Sequence, residues 1–308
     1  MKPVLFSFPL PVVGEVTFTS YVVMMAVAFI VGVWGCRRAA TRAGLDGELL
    51  VDLGLWMLVL GIAGSRLLAV LTDGKLLDFV HLCTAPKLVD AVDAKVAQCT
   101  ASAQCGYDYL CDAATHTCYP PRDCLAALKF WHGGLTFYGG VLLAVPGAMW
   151  FCRRKRLPVW KVADLAAPFL MLSLAIGRVG CFLNGCCYGD FTDAAIGVQF
   201  PGHPGPRHPT QLYEMVTAGL LFVILSRVIG PRQQHKPGKT FGWMLILYGI
   251  ARTIIEIFRA DPRGALGPLS TSQVISIPLI AAGVYLVARR GAGASSPAAP
   301  DGEADDAA

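Results

Sequence analysis

Charge is what this sequence has least of. Asp, Glu, Lys and Arg make up 15% of its 308 residues, where soluble domains carry about 25%. The formal net charge is only +5, and no basic run is interleaved with aromatics, which argues against nucleic acid as a partner. No CxxC pair occurs among the six cysteines between residues 83 and 124, so the common zinc spacing is missing there. No internal repeat supports an inverted-repeat transporter. The first fifteen residues lack the basic, apolar and small-residue succession of a signal peptide, so the first apolar segment is expected to be retained.

What is present in excess is apolar sequence. Hydrophobic residues make up 55% of the chain, and mean hydropathy is +0.54. Runs of bilayer-crossing length, about 17–25 residues, recur at roughly 18–36, 49–71, 134–151, 163–183, 212–229, 240–258 and 273–288. The pattern predicts an all-α integral membrane protein with seven transmembrane helices. Residues 1–71 hold the first two spans and 72–131 a cysteine-rich loop. Residues 132–290 hold five more spans with an arm near 185–210, and 291–308 form an Ala/Gly/Ser/Pro-rich, acidic tail expected to be disordered.

Lys and Arg orient these spans. Loops after the first, third, fifth and seventh spans hold 14 basic residues, mostly close to membrane ends, against nine on the other side. The N-terminus is therefore expected outside and the C-terminus in the cytoplasm. The cysteine loop then falls outside, where disulfides persist. Its even set, Cys83, Cys99, Cys105, Cys111, Cys118 and Cys124, reads as a small disulfide module with fifteen connectivities open.

Ionisable groups at membrane depth need a function or a partner. Arg66, Arg178, Arg252 and Glu256 lie inside spans, in their outward halves, and Tyr21, Thr136, Tyr138, Gln211 and Glu214 fall at the same level. Arg252 and Glu256 are spaced i,i+4 and share a helix face. Glu214 is expected nearer the water, leaving a surplus of guanidinium charge suited to a lipid phosphate. An internal ion pair and snorkelling arginines are the alternatives. Glycines at 133–134, 139–140 and within 177–189 fit either close helix packing or a backbone-lined cavity, and the cavity is the expectation.

The segments HGGLTFYGG (132–140), GRVGCFLNGCCYG (177–189), RHPTQLYE (207–214), YGIARTIIEIFR (248–259) and SQVISIP (272–278) resemble the bacterial prolipoprotein diacylglyceryl transferase family. The resemblance runs in family order from Tyr21 to the seventh span and leaves out the cysteine loop and tail. It implies an enzyme of the cytoplasmic (inner) membrane, with its active site toward the periplasmic leaflet. Such an enzyme moves the diacylglyceryl group of phosphatidylglycerol to the lipobox cysteine of a prolipoprotein signal peptide, without a metal or soluble cofactor. By motif position, Arg178 and Arg252 would hold the leaving phosphate, with Glu256 orienting Arg252 or assisting proton transfer. Tyr21, Asn184, Gly189 and Tyr248 also fall on family motif positions and would line the phospholipid site, together with Arg66, placed there by its depth in the second span. Arg207, His208, Gln211 and Glu214 would form the arm motif. Three positions depart from the family pattern. Tyr138 stands where a histidine base is common, with His132 as the substitute base, Cys181 stands for an asparagine, and Cys186 for a glutamate. Cys181, Cys186 and Cys187 also leave open a thiol–disulfide or sensory protein on the same scaffold. A relative with another acceptor or another reaction is the further alternative.

Overall fold

A computed structural model of the chain describes residues 1, 3–10, 14–72, 76–89, 99–105, 110–112, 114–128, 136–233, 236–259, 265–266 and 269–289. Strands β1 (Val4–Leu10) and β2 (Gly14–Thr19) form an antiparallel hairpin. Helices α1 (Ser20–Arg42), α2 (Gly47–Thr72) and α3 (Leu76–Thr84) follow. The one-turn α4 (Ser102–Cys105) and the short strands β3 (Leu110–Cys111) and β4 (Cys118–Tyr119) belong to the cysteine loop. Then come α5 (Phe137–Arg154) and α6 (Val159–Asn184), followed by a second short pair, β5 (Val198–Gln199) and β6 (Pro206–Arg207). Helix α7 (Thr210–Ile224) continues through a π-turn at Leu225–Ile229 into α8 (Gly230–Gln233). Helix α9 (Lys239–Glu256), a last short pair, β7 (Ala265–Leu266) and β8 (Leu269–Ser270), and α10 (Thr271–Ala288) complete the order.

A helix thus lies at each of the seven expected segments. Four are long and apolar enough to cross a membrane: Ser20–Arg42, Gly47–Thr72, Val159–Asn184 and Thr210–Gln233. The 18-residue α9 falls short because Lys239, Arg252 and Glu256 interrupt it, and the apolar stretch of α10, Ser272–Ala288, is shorter still. Large apolar side chains face outward, Ile30 at 64% and Leu142 at 66% exposure, while Gln211 is fully buried. That inversion of the soluble pattern is the mark of a chain whose solvent is lipid, and the protein is a multi-pass membrane protein.

The chain divides into two compact units, Val51–Leu157 and the remainder, Met1–Leu50 with Pro158–Ala308. In the larger unit, Ala167 and Met171 of α6, Leu221 of α7, Leu225 and Met244 of α9 form the buried core. Thr19 caps α1 by accepting from the Val22 N–H at 3.3 Å. Ser270 and Gln273 form a reciprocal capping box at the start of α10. The N-terminus of α9 is capped from a different helix: the Asp164 carboxylate of α6 accepts from the Gly238 N–H at 2.6 Å and the Phe241 N–H at 2.8 Å. Asp164→Ala strips those donors of their acceptor and should cost about 1–2 kcal/mol, read as a lowered Tm of the purified protein. An unchanged Tm would show the cap to be dispensable.

The smaller unit carries the cysteine loop. Its three disulfides are Cys83–Cys124, Cys99–Cys111 and Cys105–Cys118. All six cysteines are therefore paired, as their even number and spacing led us to expect. Lys87 and Asp112 add a surface ion pair at 2.8 Å. Gly139 and Gly140 meet Gly64, Ser65 and Gly61, where an added Cβ would strike backbone or the Ser65 hydroxyl. These two glycines serve close approach of α5 to α2 rather than a cavity, which corrects that expectation for this pair. Gly133 and Gly134 lie outside the described residues.

Candidate functional site

The larger unit brings most of the sequence-nominated polar residues to one place, and a carboxylate is its hub. Glu214, in the second turn of α7, has a side chain only 1% exposed. Its Oε2 pairs with Arg178 Nε, and its Oε1 lies 3.1 Å from Arg252 Nη1 and 3.8 Å from Arg259 Nη1. This corrects the sequence expectation: Glu214 is not nearer the water but at the centre of the arginines. Arg252 also pairs with Glu256, at 2.6 Å, and donates to the Ser272 hydroxyl of α10 at 3.0 Å. Among the described residues, three guanidinium groups gather here around two carboxylates, and the low dielectric of a buried site strengthens each interaction.

Local sequence explains how the parts meet. Helix α6 ends at Asn184 because Gly185 takes the left-handed conformation, at φ 73°. The Cys186 N–H then bonds back to the Cys181 carbonyl at 3.1 Å, the closure of a Schellman turn. This turn sets Arg178 and the segment that follows it beside the start of α7. From there Thr210 Oγ1 donates to the Cys187 carbonyl at 2.8 Å, and Gln211 Nε2 to the Cys186 carbonyl at 2.7 Å. The arm motif is thus a set of pins as well as a source of charge.

Gly189 lies where three chains converge. It bridges Arg259, its N–H donates to the His208 carbonyl at 2.8 Å, and an added Cβ would run into the Phe258 carbonyl and the His208 and Thr210 side chains. Gly189→Ala should therefore destabilise by about 1–3 kcal/mol through overpacking and loosen the seat of Arg259. Its check is the Tm, and a variant as stable as the parent would refute the close-approach argument.

The other nominated residues take varied places. His208 Nδ1 and the Tyr213 hydroxyl are 3.0 Å apart, and the His208 ring packs on Phe258. Arg207 stacks its guanidinium over Tyr188 rather than joining the cluster. Tyr21 lies within electrostatic reach of Arg178, and Tyr248 within reach of Glu214, Arg178, Arg252 and Arg259. Asn184 is the half-buried last residue of α6. Arg66 and Tyr138 belong to the smaller unit. There Arg66 donates to the carbonyls of Ala126 and Ala127, at 2.8 and 2.9 Å, and lies over Phe79, so it holds the base of the cysteine loop. Tyr138 is 44% exposed at the start of α5, its ring edge-on to Phe137. His132 lies outside the described residues.

Arg259 was missed by sequence reasoning. Its signal was available: it stands seven residues after Arg252 and three after Glu256, and closes a motif already singled out. Its proximity to Gly189 across the chain was not available.

A model of the family described as prolipoprotein diacylglyceryl transferase matches residues 8–289. The chain belongs to the prolipoprotein diacylglyceryl transferase family. It is 29% identical over 292 residues to the phosphatidylglycerol–prolipoprotein diacylglyceryl transferase of Clostridium tetani, covering 93% of this chain and 96% of that one. Proteins of the same name from Glaesserella parasuis and Rickettsia bellii are 37% identical over 171 residues and 39% over 167. Those matches span 54% and 52% of this chain and 63% of each relative. Within the diacylglyceryl transferase family, this chain is a transferase whose polar cluster joins α6, α7, α9 and α10.

Proposed function

We propose that the protein transfers the diacylglyceryl group of phosphatidylglycerol to the lipobox cysteine thiol of prolipoproteins, the first step of their maturation. The observation that carries this reading is the buried cluster of Arg178, Arg252 and Arg259 around Glu214. The lipobox thiolate attacks the glyceryl carbon, a C–S bond forms, and the C–O bond to phosphate breaks. The electron pair leaves with glycerol phosphate, whose growing charge needs preorganised cations. Arg178 is the best placed of the three for that contact. Its Nε is spent on Glu214, while its Nη1 reaches the Cys181 sulfur at 3.9 Å, a weak partner that a phosphate oxygen would replace. Arg252, committed to two carboxylates and Ser272, acts as the inner positive charge that holds the site together.

The same reading takes seven membrane spans with the N-terminus outside the cytoplasmic membrane and the cluster toward the periplasmic leaflet. The basic residues flanking α1, α5, α8 and α10 support this orientation, as does the disulfide loop. The test is transfer by the purified protein of labelled diacylglycerol from phosphatidylglycerol to a lipobox peptide, beside the same peptide with serine for cysteine. Thioether product on the cysteine peptide alone is expected. Phosphatidylglycerol binding without product would overturn the acceptor assignment.

A further inference from the structure

The Schellman turn that ends α6 also gathers sulfur. The Sγ atoms of Cys181, Cys186 and Cys187 all lie within 4.8 Å of one another. All three are free thiols, in a chain that closes six other cysteines into disulfides. Cys181 is buried and the other two half-buried. Their backbone is fixed by the bond between the Cys186 N–H and the Cys181 carbonyl, and by the Gln211 and Thr210 side chains. Cys187 is held at φ 66°, a left-handed conformation that costs a non-glycine residue and persists only where its surroundings enforce it.

We propose that Cys181, Cys186 and Cys187 form a three-thiolate site for one soft metal ion, of the zinc(II) or copper(I) class. With metal–sulfur bonds near 2.3 Å, two sulfurs on a tetrahedral or trigonal ion stand about 3.8–4.0 Å apart, within the spacing already present. Thiolate is the preferred ligand of these ions. Three thiolates around a divalent ion carry a net charge of −1. The Arg178 Nη1, 3.9 Å from the Cys181 sulfur, counters it. Three small apolar groups packed for volume alone would gain nothing from a guanidinium neighbour. The site goes beyond the family resemblance, which implies no metal; it shares Arg178 with the transfer reading, and its test therefore reads metal binding alone.

The test reads metal rather than turnover. The full chain is purified in detergent under nitrogen without added reductant, so the loop disulfides stay closed, and its free thiols are counted. Cys36, Cys152 and the triad make five. Cadmium(II) is then titrated and followed by sulfur-to-metal charge-transfer absorbance. Saturation at one ion per chain is expected, unchanged in a Cys36→Ser/Cys152→Ser background. Loss of an outer-shell partner already costs metal sites about 10–100-fold, so Cys186→Ser should weaken binding by at least about 100-fold, as should Cys187→Ala. Cys181→Ser is avoided because its burial threatens the fold. Five free thiols with no one-equivalent endpoint would overturn the proposal, as would a triad already closed to a disulfide, or an endpoint that survives both variants.

Discussion

Arg178→Ala should lower the rate of diacylglyceryl transfer by about 10²–10³-fold, the range observed when one preorganised donor is removed from a site of developing negative charge. The expectation rests on how each guanidinium is committed. Arg252 is held by Glu214, Glu256 and Ser272, and Arg259 by Glu214 and the bridge to Gly189. Arg178 alone turns an Nη toward a soft sulfur. The loss should fall on kcat as well as on the apparent affinity for phosphatidylglycerol, because the phosphate gains charge as the C–O bond breaks. Arg178→Lys restores the charge but not the planar fork, and should recover part of the rate. Equal rates for Arg178→Ala and the parent would remove the phosphate from this site. A drop confined to KM would reduce Arg178 to ground-state binding.

Sequence and structure agree where the determinants are local. Seven apolar runs fold as seven helices because hydropathy and length are properties of the run itself. The Arg252–Glu256 pair was legible because i,i+4 geometry is fixed by the helix. The six loop cysteines could be read as disulfides from their number and spacing, but not as Cys83–Cys124, Cys99–Cys111 and Cys105–Cys118. That pairing depends on how α3 returns to the Pro120–Cys124 stretch. The burial of Glu214 was illegible for a related reason. Position along a span gives depth, but not which neighbours close over the side. The neighbours here are Arg178 from α6 and Arg259 from beyond α9, reached through the Gly189 bridge. The same limit placed Arg66 with the phosphate, whereas it spends its donors on the carbonyls of Ala126 and Ala127. The glycines divide by role: Gly177 and Gly180 face Met25 and Met24 of α1, Gly185 supplies the left-handed turn, and Gly189 permits a crossing that no side chain would allow.

Glu214→Gln should be the most destabilising single change in the cluster. Among the described residues, the parent site sets two carboxylates against three guanidinium groups, and the variant leaves Glu256 as the one charged carboxylate among them. Removing one partner from a buried ion pair costs about 3–5 kcal/mol, because the remaining charge keeps its desolvation penalty. A Tm lower by roughly 10 °C follows, at about 2–4 °C per kcal/mol for chains somewhat shorter than this one. Glu256→Gln should cost less, since Glu256 pairs with Arg252 alone among the described residues. A structural carboxylate and a phosphate-binding guanidinium cluster make different demands on added lipid. Glutamine keeps the shape of the hub but not its charge, so an anionic headgroup becomes the available counter-charge for the arginines. Phosphatidylglycerol in the detergent micelle should therefore raise the Tm of Glu214→Gln more than that of the parent, and neutral phosphatidylcholine should not. A variant melting within 2 °C of the parent, by the roughly 2–4 °C scale per kcal/mol, would show that Glu214 is not the hub. A destabilised variant that phosphatidylglycerol fails to restore would confine the cluster to structure and separate it from the lipid phosphate.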